Sequence, residues 1–302
     1  MLNLINELDD ESSPYLQLYK DQSIAWKAWS GSSLAFARTA NKPIFLSIGY
    51  SASYWCREMS SNCFDHRSVA LLLNEHFVNI KVDREERPDL DQVYQLAHQL
   101  LNGNAGAWPL SVFLCPHTLL PFFVGSYFDL NTNGQAIPFD QLLIRINDYY
   151  HNQAKDKDKL LAQVEHSFNK LSEVSVVTEA DCQKSLWATA LQRLMLQKDE
   201  QHGGFGHAPK FSMPVNLNFM MDSTVRKYIS EVDFNHLHFT LKVMSERGMN
   251  DRIGGGFFRY STDSQWRIPH FEKMLYDNGM LLEVYARAWF SNQNPIYYEM
   301  ID

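Results

Sequence analysis

The stretch from Pro43 to Met59 constrains the fold more than any other part of the chain. Pro43 to Tyr50 is short, apolar, rich in β-formers and opened by a proline, and it reads as a strand. Ser51 and Ser53 are good helix N-caps, so a helix follows at once. Trp55 and Cys56 then fall at a strand-to-helix junction, where free backbone N–H groups and the helix dipole favour a thiolate.

Around that junction the first half alternates. Trp26, Trp29 and Phe36 fall near helical spacing, which predicts a helix over roughly 23–40 that packs against the sheet. Ser68 to Phe77 reads as a helix, and Val78 to Asp83 alternates as a strand does. Arg84 to Asp89 is a charged turn. Leu90 to Asn102 is amphipathic, with Val93, Leu96, Ala97, Leu100 and Leu101 on its expected buried side. Leu110–Cys115 and Leu120–Phe128 pair as a hairpin, and Phe139 to Asn152 is a closing helix. A helix followed by β-α-β-α-β-β-α is an α/β sandwich with helices covering a mixed sheet.

The period changes in the second half. A polar run, Ala154 to Lys159, a helix to Lys170 and the residues up to Thr178 predict a boundary: a first domain over 1–160, a linker over 161–178 and a second domain over 179–302. Helices are expected at Ser185–Lys198, Pro214–Ile229, Asn235–Arg247 and Phe271–Phe290. Glycine loops at Gly203–Gly206 and Gly254–Gly256 separate them, which suggests an array of helical hairpins.

Bulk properties exclude several classes. With 302 residues, 45% of them hydrophobic, the chain can bury substantial cores and is not a disordered protein. A net charge of -8 without a basic stripe argues against nucleic acid or anionic membrane as partner. No apolar run approaches the ~20 residues of a membrane span. The N-terminus lacks the basic region and apolar core of a signal peptide. Cys56, Cys63, Cys115 and Cys182 form no Cys-x-x-Cys pair, so neither a zinc knuckle nor a disulfide framework is indicated. His236 and His238 lack companions at ligand spacing, and no phosphate loop is present, so no metal and no cofactor is expected. A cytoplasmic protein is the expectation.

A strand that delivers a cysteine into the first turn of a helix is the plan of a thioredoxin-type redox site, and here the likeness is specific. Ser53-Tyr54-Trp55-Cys56-Arg57, Ser13-Pro14-Tyr15-Leu16, the Trp26/Trp29 pair and Asp83-Arg84-Glu85-Glu86-Arg87 resemble the spermatogenesis-associated protein 20 family, whose N-terminal part is a thioredoxin-like domain of unknown function. Gly203 to Phe211, Gly254 to Ser261 and Pro269 to Asn278 are similar to that family's second domain. The resemblance implies a barrel of six helical hairpins there, like sugar epimerases and six-hairpin glycosidases. About four helices are recognisable, roughly a third of such a barrel, so the expected fold is an α/β thioredoxin-like domain plus a partial α/α six-hairpin-type barrel. The resemblance covers nearly the whole chain, but the chain covers part of the family. A truncated or split product, or a wall supplied by another polypeptide, would account for that.

The family usually carries Cys-His-Trp-Cys-His where this chain has Ser53 to Arg57. The attacking cysteine of working thioredoxins is thus Ser53. Dithiol exchange needs Cα atoms within about 7 Å. Cys63, seven residues beyond Cys56, is ~10 Å away along a continuous helix. The pair Ser53 and Cys56 therefore reads as a degenerate redox site with little or no disulfide reductase activity. Cys56 is either a structural relic or a single reactive thiol, open to glutathionylation or to a protein or peptide thiol in the cleft. Trp55 flanks it as a candidate binding residue. The resemblance places a cis-proline, Pro109, just before the strand facing this site. Asp83 to Arg87 is a solvated loop or the rim of the site.

In the second half, Lys210, Arg259, Tyr260, Asp263, Trp266, His270, Glu272 and Asp277 cluster in and beside the glycine loops. Aromatic faces, carboxylates and a histidine are what a polyol pocket requires, so Arg259, Tyr260, His270, Glu272 and Asp277 are candidate sugar-binding residues. The alternative is that the same side chains fix the loops. An epimerase- or hydrolase-like activity and a non-functional fragment are the competing readings to a thiol-site protein.

Overall fold

Residues 5–134, 136–172 and 184–302 are described by the computed structural model. The chain divides into two units, Met1–Val174 and Ser175–Asp302. The first contains, in order, Pro14–Gln17 (α1), Trp26–Ala28 (β1), Gly31–Ala40 (α2), Ile44–Gly49 (β2), Tyr54–Met59 (α3), a π-helical turn at Ser60–Phe64, Arg67–His76 (α4) and Val78–Asp83 (β3). Pro88–Asn102 (α5), Leu110–Leu114 (β4), Pro121–Gly125 (β5), Phe139–Asn152 (α6) and Ala154–Ser172 (α7) complete it. The strands form one sheet in the order β1-β3-β2-β4-β5. β3 is parallel to β1 and β2, and β4 is antiparallel to β2 and β5.

Each face of the sheet carries its own core. Ile44, Leu46, Ile48, Val78, Ile80, Val82, Leu110 and Val112 pack with Ala37 of α2 and with Tyr94 and Ala97 of α5. The opposite residues, Phe45 and Phe113, pack with Trp26, Cys56, Met59, Phe64, Leu73 and Phe139. Helices therefore cover both sides, and every residue of β2 and β3 is buried, including the polar Ser47, Asn79, Lys81 and Asp83. The alternation in β3 separates two covered faces rather than core from solvent.

Two expectations are corrected. Trp26 lies in edge strand β1, in register with Asn79 of β3, so no helix runs through 23–30. The helix starts only at its Ser30 cap, whose Oγ accepts from the Ser33 amide at 3.1 Å. The buried stripe of α5 is Asp91, Tyr94, Ala97 and His98, whereas Val93 and Leu100 are exposed, because Tyr94 and Ala97 reach the sheet. The polar run at 154–159 opens α7, which continues to Ser172, and its Leu161 and Val164 are buried. The helix expected up to Lys170 is α7. Residues 173–178 and Cys182 lie outside the described residues.

The second unit is mainly helical: Lys184–Met195 (α8), Pro214–Val225 (α9), Glu231–Glu246 (α10), Leu275–Asn292 (α11) and Pro295–Glu299 (α12). Three two-residue strands, Lys210–Phe211 (β6), Tyr260–Ser261 (β7) and Pro269–His270 (β8), form a small antiparallel sheet. Its core joins Leu217, Met220, Leu237, Leu241, Met244, Trp266, Leu281 and Tyr285. The two glycine loops are built alike. Gly203 N donates to Asp199 O at 2.9 Å, and Gly255 N to Asp251 O at 2.8 Å. Gly203, Gly204, Gly255 and Gly256 all have φ near +75°, the left-handed region that glycine enters freely. Each aspartate then takes a lysine at 2.5 Å: Lys210 on Asp199 and Lys273 on Asp251.

Candidate functional site

The junction between β2 and α3 is also where the polar chemistry gathers. β2 ends at Gly49, and after a short turn Ser53 caps α3 in extended conformation. Its Oγ accepts from the Cys56 amide at 3.2 Å. Ser53 and Cys56 are each only 2% exposed. Of the two serines expected as caps, Ser53 is the one that fills the role. The fold draws α3 tightly over the strand end: a Cβ added to Gly49 would sit 2.3 Å from Tyr15 Oη and 2.6 Å from Cys56 Sγ. Glycine is required there by the approach of the tyrosine and the thiol.

Cys63 does not meet Cys56 as a redox partner. The helix turns into the π segment, and Cys63 Sγ donates to Phe128 O at 3.2 Å. Burial, and next the Asp129 carboxylate, push its thiol up to about 12, so it is an inert thiol. Cys56, Cys63 and Cys115 are all buried and outside any disulfide.

On the same face of the sheet β3 presents Lys81, 1% exposed. Its Nζ donates to Ser47 Oγ of β2 at 3.2 Å. Four rings surround the amine, with centroids at 3.6 Å (Tyr19), 4.6 Å (Trp26), 4.8 Å (Phe64) and 5.3 Å (Tyr15). Burial brings the amine down to about 7, and the Cys56 sulfur acts in the opposite direction. Tyr19 Oη donates to Cys56 O at 3.4 Å. Burial and then the Cys56 sulfur raise the phenols of Tyr15 and Tyr19 above their usual range, so both stay neutral. Lys81, Tyr15, Tyr19 and Ser47 escaped the sequence reading. The available signal was a lysine at a residue parity shared, through the strand pairing, with Ser47.

The outer rim is aromatic. Trp55 is 46% exposed and lies edge-on to Tyr54 at 5.2 Å and Tyr127 at 5.3 Å. The Trp108–Pro109 bond is cis. Leu110 pairs with Ile48, so Pro109 falls beside the end of β2 where α3 begins. Trp108 Nε1 donates to Asp91 at 2.8 Å, and Arg84 stacks over Trp108 at 4.1 Å while pairing with Asp91 at 3.3 Å. Ser53, Cys56, Trp55 and Pro109 thus belong to one neighbourhood, and Arg84 of the charged turn helps to fix its rim.

In the second unit, Arg259, Tyr260, His270 and Glu272 come together on and beside β7 and β8. Arg259 Nη1 donates to Glu272 at 3.2 Å, and His270 Nδ1 lies 3.4 Å from the other Glu272 oxygen. Tyr260 and His270 stack at 4.8 Å with 13° between planes. Arg259 and Glu272 are 6% and 5% exposed, so this pair faces inward. Asp277 stands in the first turn of α11, where an acid complements the helix dipole. Lys210, Asp263 and Trp266 fix loops: Lys210 holds Asp199, the Asp263 carboxylate accepts from the amides of Gln265 and Ile268, and buried Trp266 donates to His202 O. Among the described residues no group of three His, Cys, Asp or Glu side chains is placed to hold a metal, and no helix is long and apolar enough to cross a membrane.

The chain is 40% identical to spermatogenesis-associated protein 20 of Rattus norvegicus over 293 residues, covering 94% of this chain and 36% of the relative. It is 38% identical to the Homo sapiens protein of the same name, covering 97% of this chain and 38% of the relative. It therefore spans little more than a third of the length of these curated relatives. Among solved structures, a DsbH oxidoreductase overlaps 41% of this chain and 83% of its own, at 14% identity and a TM-score of 0.32. Residues 5–172 match the family named Thioredox_DsbH and described as a protein of unknown function, DUF255. That match takes in more than half of the chain and the whole five-stranded sheet, and the protein belongs to this family, with a thioredoxin-like N-terminal domain.

Proposed function

We propose that the N-terminal unit is a thioredoxin-fold thiol site reduced to one sulfur. It has little or no disulfide reductase activity, and it engages a protein or peptide thiol at the aromatic rim. One observation carries this reading: the position that an attacking cysteine would occupy holds a buried serine hydroxyl committed to capping α3, three residues before Cys56. A resolving thiol alone can accept and release one mixed disulfide but cannot close an internal one. Insulin-disulfide reduction by the full chain tests it. The expected turnover is at the level of a monothiol control. Robust turnover that persists in Cys56→Ala would overturn the assignment of the site.

A second reading, sugar binding by the helical unit, draws support from the parallel Tyr260–His270 ring pair beside Glu272. Partly exposed ring faces suit the C–H faces of a polyol. The burial of Arg259 and Glu272 argues instead for loop fixing. A thermal-shift panel of free sugars separates the two; no shift with any sugar removes the carbohydrate reading.

A further inference from the structure

An asparagine side chain is most open to attack by the next backbone nitrogen when glycine follows, because no Cβ stands in the approach. The chain contains Asn-Gly three times, at Asn102-Gly103, Asn133-Gly134 and Asn278-Gly279. The fold holds two of them. Asn102 ends α5, and the amide of Gly103 donates to Gln99 O at 2.9 Å. The Asn102 carboxamide donates to His98 Nε2 at 3.1 Å and to Val124 O at 3.4 Å. Asn278 lies in the first turns of α11, so Gly279 sits in the hydrogen-bond ladder of that helix. Asn278 Oδ1 accepts from the Phe257 amide at 2.7 Å, and its Nδ2 donates to Phe257 O at 3.0 Å and to Met274 O at 2.9 Å. Exposure does not separate the three, since Asn102 is exposed as well.

The third is built differently. Asn133 and Gly134 stand exposed in the connection from β5 to α6, with φ of +48° and +76°, consecutive left-handed residues of a tight turn. A Cβ on Gly134 would meet nothing within 4 Å. The connection is fastened at its base. Phe139 N donates to Asp129 O at 2.9 Å, Asn131 N to Asp129 Oδ1 at 3.0 Å, and Thr132 Oγ1 to Ala136 O at 2.8 Å. We propose that Asn133 is a site of spontaneous covalent modification, converted to aspartate and isoaspartate through a cyclic imide formed with Gly134. The Gly134 nitrogen bonds to Asn133 Cγ and gives up its proton, the Cγ–Nδ2 bond breaks, and ammonia leaves. One water then opens the imide. Opening at one carbonyl gives aspartate; opening at the other gives isoaspartate, with the backbone routed through the side chain. Either product adds a negative charge between Tyr127 of the aromatic rim and α6. The bonds at the base lie outside the reacting atoms, so the domain keeps its fold.

Attack requires the nitrogen and Cγ to meet in a reactive alignment. At Asn102 and Asn278 the hydrogen bonds above must be given up first; at Asn133 only the exposed turn has to rearrange. The experiment is incubation of the full folded chain at pH 8 and 37 °C, followed by digestion and mass spectrometry. Chromatography resolves aspartyl from isoaspartyl peptides, and an Asn133→Asp protein marks the aspartyl product. Asn133 is expected to convert about tenfold faster than Asn102 and Asn278, or more, and to give both products. In denaturant the three sites are expected to converge to within a few-fold. The converted protein should keep the unfolding temperature of the untreated one. Equal rates at the three sites in the folded chain overturn the proposal, as does an Asn133 that stays intact while the denatured chain converts. Aspartate without isoaspartate overturns the imide route. A lead for Asn133 that persists undiminished in denaturant assigns the difference to neighbouring residues and overturns the protection ascribed to the fold.

Discussion

Ser53 Oγ accepts the amide hydrogen of Cys56 at 3.2 Å, so this hydroxyl starts the helix that carries the thiol. Replacing it has two separable effects. Ser53→Ala removes the cap and is expected to lower stability by about 1 kcal/mol in denaturant titration. Ser53→Cys places a second sulfur three residues before Cys56. It is expected to create a dithiol that closes on oxidation, lowers the thiol count by two and gains insulin reductase activity. An unchanged thiol count after oxidation would show that the geometry at the helix start no longer permits closure.

Gly49→Ala is expected to destabilise the N-terminal domain by about 1–3 kcal/mol, because its methyl would press on Tyr15 Oη at 2.3 Å and Cys56 Sγ at 2.6 Å. Gly31→Ala, where nothing lies within 4 Å, is the control and should be neutral or slightly stabilising. Urea midpoints of the two variants check this.

Lys81 gives stability a pH dependence with a definite sign. Its folded-state value of about 7 lies below the 10.5 of an exposed lysine, so between those limits the unfolded chain binds more protons than the folded one. The lysine's contribution therefore penalises folding fully below pH 7, and the penalty fades as pH rises toward 10.5. Lys81→Met is expected to be the more stable protein at pH 6, with the advantage shrinking by pH 9.5. Parallel urea midpoints for the two proteins would refute this.

Asp199 behaves in the opposite sense. Partial burial raises its carboxyl, but the Lys210 ammonium and the amides of His202 and Gln201 outweigh burial and hold it at about 2. Its stabilisation is present above the usual carboxylate range and is lost as pH falls through about 2. Asp199→Asn removes the carboxylate charge from the fully buried Lys210 ammonium, which keeps Ser264 O and the Trp266 ring, and is expected to cost about 1–3 kcal/mol. Adding Lys210→Met should recover part of that loss, as a double-mutant cycle would measure.

Glu272→Gln distinguishes a loop-fixing role from a sugar-binding one. It removes the Glu272 carboxylate that faces the buried Arg259 at 3.2 Å and is expected to lower the unfolding temperature with a loss of about 3 kcal/mol. A stable Glu272→Gln protein would instead favour a ligand-facing carboxylate.

How much of this was legible in the sequence varies with the range of the forces involved. The junction from Pro43 to Met59 is local, and its strand, cap and helix emerge where cap chemistry and β-propensity put them. The helix Phe139–Asn152 was readable to the residue from its own periodicity. Trp26 was misread because it obeys the edge of a sheet, whose register depends on β3, fifty residues away. The α5 stripe was misread because Val93 and Leu100 are apolar yet lie off the face that Tyr94 turns to the sheet. Lys81 was invisible for the same reason: an alternating strand is half-solvated only if one face stays bare, and here α1, α3 and the π turn cover it. In the second unit the Asp–Lys clasps went unnoticed because Lys210 lies 11 and Lys273 lies 22 residues beyond their partners, at no fixed spacing.

Those two clasps bear on how the second unit comes apart. Each glycine loop carries its own aspartate, its own lysine and its own pair of left-handed residues, so neither leans on the other for closure. Damage to one should stay local. In hydrogen exchange the amides of Gly203 and Gly255 should then report as two separate islands of protection, with Asp199→Asn hastening exchange at the first and leaving the second as slow as before.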